Sequence, residues 1–201
     1  MIPTIETERM ILRPFILEDA STVQVLAGDR EVAKTTLHIP HPYPDGAAEQ
    51  WIARHSHTAT KGGGYVFAIT KRPWPFCRPQ AVISTFMKNV ETFFTENHTS
   101  ELMGCISILI DQENHVGELG YWLGKPYWQN GYTTEAAERV LQFGFEELKL
   151  NRIYACAMQK NKASTSVMQK IGLKYEGTMA QAVYKWGVYE DVSIYGRVRS
   201  E

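Results

Sequence analysis

The sequence predicts an α/β (α+β) protein built on one mixed β-sheet, and three observations support this fold class. Residues 116–172 alternate two short β-prone runs with two helical patterns, the order of a βαβ unit. Earlier β-prone runs would extend the same sheet, and a hairpin at 175–199 would add two more strands. With 201 residues and 44% hydrophobic content, the chain is expected to form one domain with a substantial core.

The first part of the chain predicts two strands and two helices. Residues 7–15 are β-prone and suit a first or edge strand. Residues 18–28 carry apolar side chains at helical spacing and end at a glycine. The prolines of residues 38–46 forbid a continuous helix there, so the second helix is placed at 47–60. Residues 65–70, YVFAIT, are a clear strand.

Residues 71–100 interrupt this regular pattern. The segment holds three prolines and many aromatic residues and shows no clean period. A connection of this length inside a compact domain is uncommon, so we treat it as an insertion between the second and third strands. Exposed aromatic side chains there would suit a homodimer interface. The residues concerned are Trp74, Phe76, Phe86, Phe93 and Phe94.

The next part of the chain predicts three strands and a long helix. Two neighbouring strands are placed at 101–111 and 116–123, and a short apolar strand at 152–158. Between the strands at 116–123 and 152–158, a turn at 125–132 leads into a helix that begins near Thr133. One side of that helix forms an apolar stripe that would lie on the sheet. The stripe consists of Ala137, Val140, Leu141, Gly144 and Leu148.

The last part predicts a second helix and the final hairpin. Asn161 can cap the start of this helix, and Gly172 suits the left-handed residue that ends it. The hairpin would turn around Trp186-Gly187. The chain therefore alternates strand, helix, strand and helix before the hairpin, with no internal repeat.

Composition excludes several classes of protein. The 21 basic and 22 acidic residues give a net charge of −1, so binding to nucleic acid or to an anionic membrane is not expected. The longest apolar run, 102–110, is about half of the roughly 20 residues that a membrane-spanning helix needs. The N-terminal residues lack the features of a signal peptide, and the three cysteines lie far from any CxxC motif or histidine cluster. We expect a cytoplasmic protein without a metal site.

The segment 117–136 carries the strongest chemical signal. A strand ends, Pro126 breaks it, and a polar loop with one glycine, Gly131, leads into a helix. The first N–H groups of a helix and its dipole together suit a phosphate or diphosphate. Gly131 would let the backbone approach such a group closely. The hydroxyls of Thr133 and Thr134 can cap the helix or bind a phosphate oxygen. Neither a P-loop nor a GxGxxG motif is present.

Five groups of residues, in order along the chain, resemble a known family. They are Thr7-Glu8-Arg9 with Leu12-Arg13-Pro14 and Asp19-Ala20, then ELGYWL at 118–123, YWQNGYTTEA at 127–136, Asn161-Lys162-Ala163-Ser164 with Gly172-Leu173, and GVYED at 187–191. On these residues the chain resembles the GNAT acyltransferases, in particular the RimJ/RimL branch of ribosomal-protein N-terminal acetyltransferases. The resemblance runs nearly end to end and leaves out residues 71–100.

The resemblance implies a mixed, mostly antiparallel sheet that is splayed between its fourth and fifth strands, with acetyl-CoA as co-substrate in the gap. Its pantetheine would pair with the backbone of Tyr121, Trp122 and Leu123. Asn161 would bind the pantetheine or the neighbourhood of the thioester. The diphosphate would lie on the N–H groups of Gln129, Asn130, Gly131, Tyr132, Thr133 and Thr134. The usual family motif has Gln or Arg where this chain has Trp128, and Gly or Ala where it has Thr133, so backbone would replace a side-chain cation.

The resemblance also suggests a general base and a general acid. Glu118, on the fourth strand beside the splay, is the candidate base, and the alternative is a strand glutamate that faces solvent or forms an ion pair. Many family members carry a tyrosine as the acid where this chain has Met168. The RimJ/RimL branch has a serine three residues after the asparagine, which here is Ser164, although a serine there can also be a capping hydroxyl. Tyr175 and Tyr184 are the alternative acids.

The expected acceptor is a primary amine, with the α-amine of a protein or peptide N-terminus first. Small amines such as aminoglycosides, polyamines and amino acids stay open, as does an idle acyl-CoA-binding module. The acceptor site would lie opposite the cofactor, between the proline-rich loop and the last hairpin. Its candidate residues are Tyr43, Tyr184, Trp186 and Tyr189.

Overall fold

The computed structural model describes residues 2–72 and 100–199. These residues form an eight-stranded sheet in the order β1-β2-β3-β4-β5-β6-β8-β7. All neighbouring strands are antiparallel except β5 and β6, which are parallel, so the mixed and mostly antiparallel sheet is confirmed. The strands are β1 (Ile5–Glu6), β2 (Met10–Pro14), β3 (Gly64–Lys71), β4 (Leu102–Asp111), β5 (Val116–Leu123), β6 (Arg152–Met158), β7 (Lys174–Lys185) and β8 (Val188–Val198).

Five α-helices of the described residues cover the two faces of the sheet. They are α1 (Ala20–Gly28), α2 (Arg30–Thr35), α3 (Ala47–Thr60), α4 (Tyr132–Glu146) and α5 (Lys162–Lys170). The larger core cluster lies where α4 and α5 pack on one face, and it includes Phe67, Ile106 and Phe143. The smaller one joins α1 and α3 to the other face through Val23, Ile52 and their neighbours. Helices α1, α3 and α4 bury apolar side chains against the sheet, as the sequence pattern predicted.

The N-terminal region differs from the sequence prediction in two places. Of the strand predicted at 7–15, only residues 10–14 form a strand, β2, because the chain turns where the Met10 N–H donates to Thr7 Oγ1 over 2.9 Å. A short strand that was not predicted, β1, precedes this turn. A further helix, α2, follows Gly28, where the sequence pattern had ended the helix. Asp29 caps α2, since its carboxylate accepts a hydrogen bond from the Glu31 N–H over 2.7 Å.

The later elements follow the prediction closely. Strands β5 and β6 have the bounds predicted for the fourth and fifth strands. Their numbers are higher by one because the short β1 was not predicted. Gly172 has the left-handed φ of 81° expected after α5. Trp186 and Gly187 form the hairpin turn with φ values of 52° and 87°.

The predicted insertion lies between β3 and β4, and the Lys71 N–H donates to the Glu101 carbonyl over 2.9 Å where its flanks meet. Residues 73–99 lie outside the described part of the chain. The homodimer predicted through Trp74, Phe76, Phe86, Phe93 and Phe94 therefore stays a prediction. Within residues 2–72 and 100–199, every helix is too short or too polar to span a bilayer.

Candidate active site

A gap opens in the middle of the sheet between β5 and β6. Their register pairs residues 116–118 with residues 152–154, while β5 continues to Leu123 and β6 to Met158. Five residues of β5 and four residues of β6 therefore extend beyond the last pair. At about 3.3 Å per residue, each unpaired edge is roughly 13–16 Å long. Such an edge presents free backbone N–H and C=O groups to an extended ligand, and the predicted splay is confirmed.

The turn after β5 shapes the open end of the gap. The Trp128 indole N–H donates to the Leu123 carbonyl over 2.6 Å, and the Asn130 amide donates to the Trp128 carbonyl over 2.9 Å. Gln129 and Gly131 both have left-handed φ values, 64° and 78°. Backbone N–H groups in such a turn point into one concavity and form an anion-binding nest.

Gly131 is the N-cap of α4, which begins at Tyr132, one residue before the predicted start. Glycine supplies no capping oxygen, and the first backbone bond of the helix runs from the Glu135 N–H to the Gly131 carbonyl over 3.1 Å. The N–H groups of Tyr132, Thr133 and Thr134 thus precede the helical ladder. The geometry fits a diphosphate on backbone amides at the positive end of α4.

Arg9, which belongs to the first group of the resemblance but had no predicted role, braces this turn. The Arg9 guanidinium donates to Glu135 Oε2 over 2.6 Å and to the Asn130 carbonyl over 2.9 Å. It also lies 4.7 Å from the centre of the Tyr132 ring. Burial raises the pKa of Glu135, but hydrogen bonds from Thr7 and Arg9 outweigh it, so the net pKa is lowered. Glu135 is therefore an ionised carboxylate whose charge is balanced by that of Arg9.

The two candidate proton-transfer residues lie on opposite faces of the sheet. Glu118 belongs to the last β5–β6 pair, opposite Tyr154, whose hydroxyl donates to Glu118 Oε2 over 3.2 Å. Side chains three residues apart on a strand point to opposite faces, so Tyr121 lies on the other side, among the α4 and α5 contacts. There its hydroxyl is 2.9 Å from Ser164 Oγ.

Burial controls the ionisation of the groups around Glu118. Burial and the nearby Glu118 carboxylate raise the pKa of Tyr154 to about 12 and that of Cys156 to about 11. Both groups are therefore protonated at neutral pH. Tyr154 can donate to the carboxylate, whereas Cys156 is a thiol rather than a nucleophilic thiolate.

Asn161 and Ser164 form the N-terminus of α5 at the edge of the gap. The Asn161 side-chain oxygen accepts a hydrogen bond from the Ser164 N–H over 3.1 Å, which confirms the predicted cap. Its amide donates to the Thr35 carbonyl over 2.9 Å and so links α5 to the end of α2. Met168, where the resemblance would place a tyrosine acid, is fully buried.

A family model described as an acetyltransferase (GNAT) domain matches residues 9–174, most of the chain. The chain belongs to the GNAT acetyltransferase family. It is by family an acetyl-CoA-dependent N-acetyltransferase, in agreement with the sequence prediction. The gap between β5 and β6 and the nest before α4 fit acetyl-CoA as the co-substrate.

Two similar sequences carry acetyltransferase names, and a solved structure shares the fold. A Bacillus subtilis protein, YdaF, named provisionally as a ribosomal N-acetyltransferase, is 34% identical over 105 residues, or 52% of this chain and 57% of that protein. The Bacillus licheniformis protein named uncharacterized N-acetyltransferase p20 is 28% identical over 200 residues, 98% of this chain and 97% of that protein. The solved structure of RimL, the ribosomal L7/L12 alpha-N-protein acetyltransferase, in complex with coenzyme A has a TM-score of 0.78 at 16% identity and covers 98% of each chain.

The cofactor residues predicted from the GNAT resemblance lie around the gap. Tyr121, Trp122 and Leu123 occupy the unpaired end of β5, with Trp122 packed toward α1 and α3. The residues from Gln129 to Thr134 form the turn and the first residues of α4. Among the described residues, no three His, Cys, Asp or Glu side chains come close enough to hold a metal ion.

The predicted acceptor residues lie in two separate places. Tyr43 packs near α1, its Cβ 3.4 Å from the position that a Cβ on Gly28 would occupy, and burial raises its pKa. The rings of Tyr184 and Tyr189 lie tilted on the hairpin with their centres 4.9 Å apart, and both residues are more than 60% exposed. Trp186 instead contacts His41 of the proline-rich loop, at 5.8 Å between ring centres. The alternative acids Tyr175 and Tyr184 are both exposed on β7.

The hairpin is fastened to that loop. The Lys185 ammonium donates to the Thr36 carbonyl over 2.7 Å. Burial and the charge of Lys160 lower the pKa of Lys185. The loop after α2 and the hairpin are therefore in contact, and the acceptor site expected between them stays a prediction.

Proposed function

We propose that this GNAT enzyme acetylates the α-amine of a protein or peptide N-terminus by direct attack, with Glu118 as general base and Ser164 as general acid. The observation that carries this proposal is the placement of the two residues around the gap. Glu118 lies at its closed end on one face of the sheet, and Ser164 lies at its edge on the other face. Direct transfer needs proton transfers at the amine and at the sulfur, which this separation serves.

Acetyl-CoA supplies the acetyl group as a thioester, and the residues of this chain bind it and move protons. The unpaired backbone of β5 would hold the pantetheine, and the N–H groups at the start of α4 would hold the diphosphate. A Glu118 carboxylate oxygen removes a proton from the attacking amine. As the C–N bond forms and the C–S bond breaks, Ser164 Oγ gives its proton to the sulfur.

The surroundings of Glu118 support a chain end as the acceptor. Leu109 is the cross-strand neighbour of Glu118 and is 45% exposed, and Tyr154 on the other side is partly exposed. An open approach of this kind admits the end of a peptide, whereas a small amine gains more from a closed pocket. The name of RimL, ribosomal L7/L12 alpha-N-protein acetyltransferase, and that of YdaF, ribosomal N-acetyltransferase, agree with this choice.

The variant Glu118→Gln tests the base. Removing a general base is expected to lower kcat by about 10²-fold or more, with little change in the Kd for acetyl-CoA. Cys156→Ser serves as the matched variant, because Cys156 lies near Glu118 and its pKa of about 11 keeps it a protonated thiol. Direct attack predicts that Cys156→Ser keeps its turnover. Wild-type turnover of Glu118→Gln would remove Glu118 from the role of base.

An acceptor panel tests the substrate class. Release of coenzyme A thiol is measured with peptides that have free N-termini, with the same peptides acetylated at the N-terminus, and with polyamines, aminoglycosides and free amino acids. The proposal predicts turnover with the free N-terminal peptides only. Turnover confined to small amines would assign a small-molecule acceptor, and tight acetyl-CoA binding without turnover on any amine would indicate an idle binding module.

A further inference from the structure

The hydroxyl of Tyr121 lies against Ser164, inside the contacts between β5 and α5. Tyr121 Oη is 2.9 Å from Ser164 Oγ and 3.1 Å from the Ser164 carbonyl oxygen. Tyr121 stands on the part of β5 that extends beyond its pairing with β6. Burial raises the pKa of Tyr121 to about 12, so the hydroxyl holds its proton at neutral pH.

The hydrogen bonds around Ser164 define what its hydroxyl can do. The Ser164 N–H is used by the side-chain oxygen of Asn161, over 3.1 Å. If the Tyr121 hydroxyl donates to Ser164 Oγ, the proton of Ser164 is left for a third partner. In the reverse arrangement the Ser164 hydroxyl donates its hydrogen bond to Tyr121 Oη, and the Tyr121 hydroxyl donates to the Ser164 carbonyl. Only the first arrangement lets Ser164 act as an acid.

We propose that Tyr121 is a positioning residue for the reaction, which donates to Ser164 Oγ and thereby directs the Ser164 proton into the gap. This inference rests on the acid role proposed for Ser164. As Oγ gives up its proton to the sulfur, negative charge builds on Oγ, and a hydrogen bond from Tyr121 stabilises that charge. Tyr121 keeps its own proton, and Ser164 recovers one from solvent, which receives the proton that Glu118 removed.

This role distinguishes Tyr121 from a residue that only fills space beside α5. A hydrogen bond to a charged oxygen contributes more than one to a neutral oxygen, so losing it slows the proton transfer more than it weakens cofactor binding. The aromatic ring, in contrast, packs against the larger core cluster and is retained in phenylalanine. Tyr121→Phe therefore removes the hydroxyl and leaves the packing in place.

The test is a double-mutant cycle of Tyr121→Phe and Ser164→Ala. Tyr121→Phe is expected to lower kcat on the order of tenfold, with the KM for acetyl-CoA nearly unchanged. The double variant should be no slower than Ser164→Ala alone, because Tyr121 acts through Ser164. Tyr65→Phe is the matched control: it removes a hydroxyl from a partly buried tyrosine on β3, two strands from β5. Thermal unfolding of all variants shows whether they fold.

The outcomes separate the two proposals. If Ser164→Ala keeps full turnover, the acid role of Ser164 is wrong and the inference ends with it. If Ser164→Ala is slow while Tyr121→Phe matches the wild-type protein, only the positioning role of Tyr121 is wrong. Additive losses in the double variant, or a loss confined to KM, would also overturn that role.

Discussion

Replacement of Gly131 tests the nest before α4. Gly131 has a φ of 78°, and a Cβ added there would lie 3.4 Å from the nearest Arg9 nitrogen, an ordinary contact. The penalty for Gly131→Ala is therefore backbone strain rather than a clash. A non-glycine residue in the left-handed region costs roughly 1–2 kcal/mol. If the free turn relaxes to avoid this cost, coenzyme A must restore it on binding, which weakens binding by about 5- to 30-fold.

Gly46 provides a matched control for the same strain. It is also an N-cap glycine with a left-handed φ of 74°, before α3, and a Cβ there would meet no atom within 4 Å. Gly46→Ala should lower the free energy of unfolding by about 1–2 kcal/mol, and Gly131→Ala by less, because the relaxed turn avoids part of this cost until coenzyme A binds. Only Gly131→Ala should raise the Kd for coenzyme A, measured by calorimetry. Gly131→Asn should fall between wild type and Gly131→Ala, because asparagine tolerates this region better. Equal Kd values for all these variants would refute the reasoning.

Two further predictions concern the brace of the turn and a buried histidine. Arg9→Ala should raise the Kd for coenzyme A and leave kcat nearly unchanged. The control Arg72→Ala, which removes a nearby ion pair with Glu6, should change neither quantity. Equal Kd values for the two variants in calorimetry would contradict this prediction. Burial, and then the charge of Arg54, lower the pKa of His55 to about 4 in the folded protein. Between pH 6.5 and 4, the imidazole is therefore protonated in the unfolded chain and neutral in the folded protein. Stability should therefore fall as the pH drops from 6.5 to 4, and His55→Phe should reduce that fall in thermal unfolding; an unchanged slope would contradict it.

Local patterns predicted the elements that form the gap. The runs at 116–123 and 152–158 are apolar and β-prone and are bounded by turn residues, so their bounds match β5 and β6. Asn161 and Gly172 are start and stop signals that act within a few residues. Helix α2 carried a signal that was missed, since Asp29 directly after Gly28 can begin a helix as readily as a glycine ends one.

The contacts that position the candidate site join residues far apart in the sequence. Arg9 and Glu135 are 126 residues apart, and Tyr154 and Glu118 are 36 apart. Hydrophobic periodicity carries no information about such pairs, because they depend on the order of strands in the sheet. Because Trp128 replaces the Gln or Arg of the family motif, the sequence predicted that backbone groups alone hold the diphosphate. The Arg9 guanidinium, from the N-terminal strands, also contacts this turn.

A crystal structure of the protein with coenzyme A tests the central claim most directly. We expect pantetheine density between residues 119–123 of β5 and residues 155–158 of β6, with the diphosphate on the N–H groups from Gly131 to Thr134. Coenzyme A bound at another place on the protein, or a gap that stays empty in crystals soaked at saturating concentration, would contradict it.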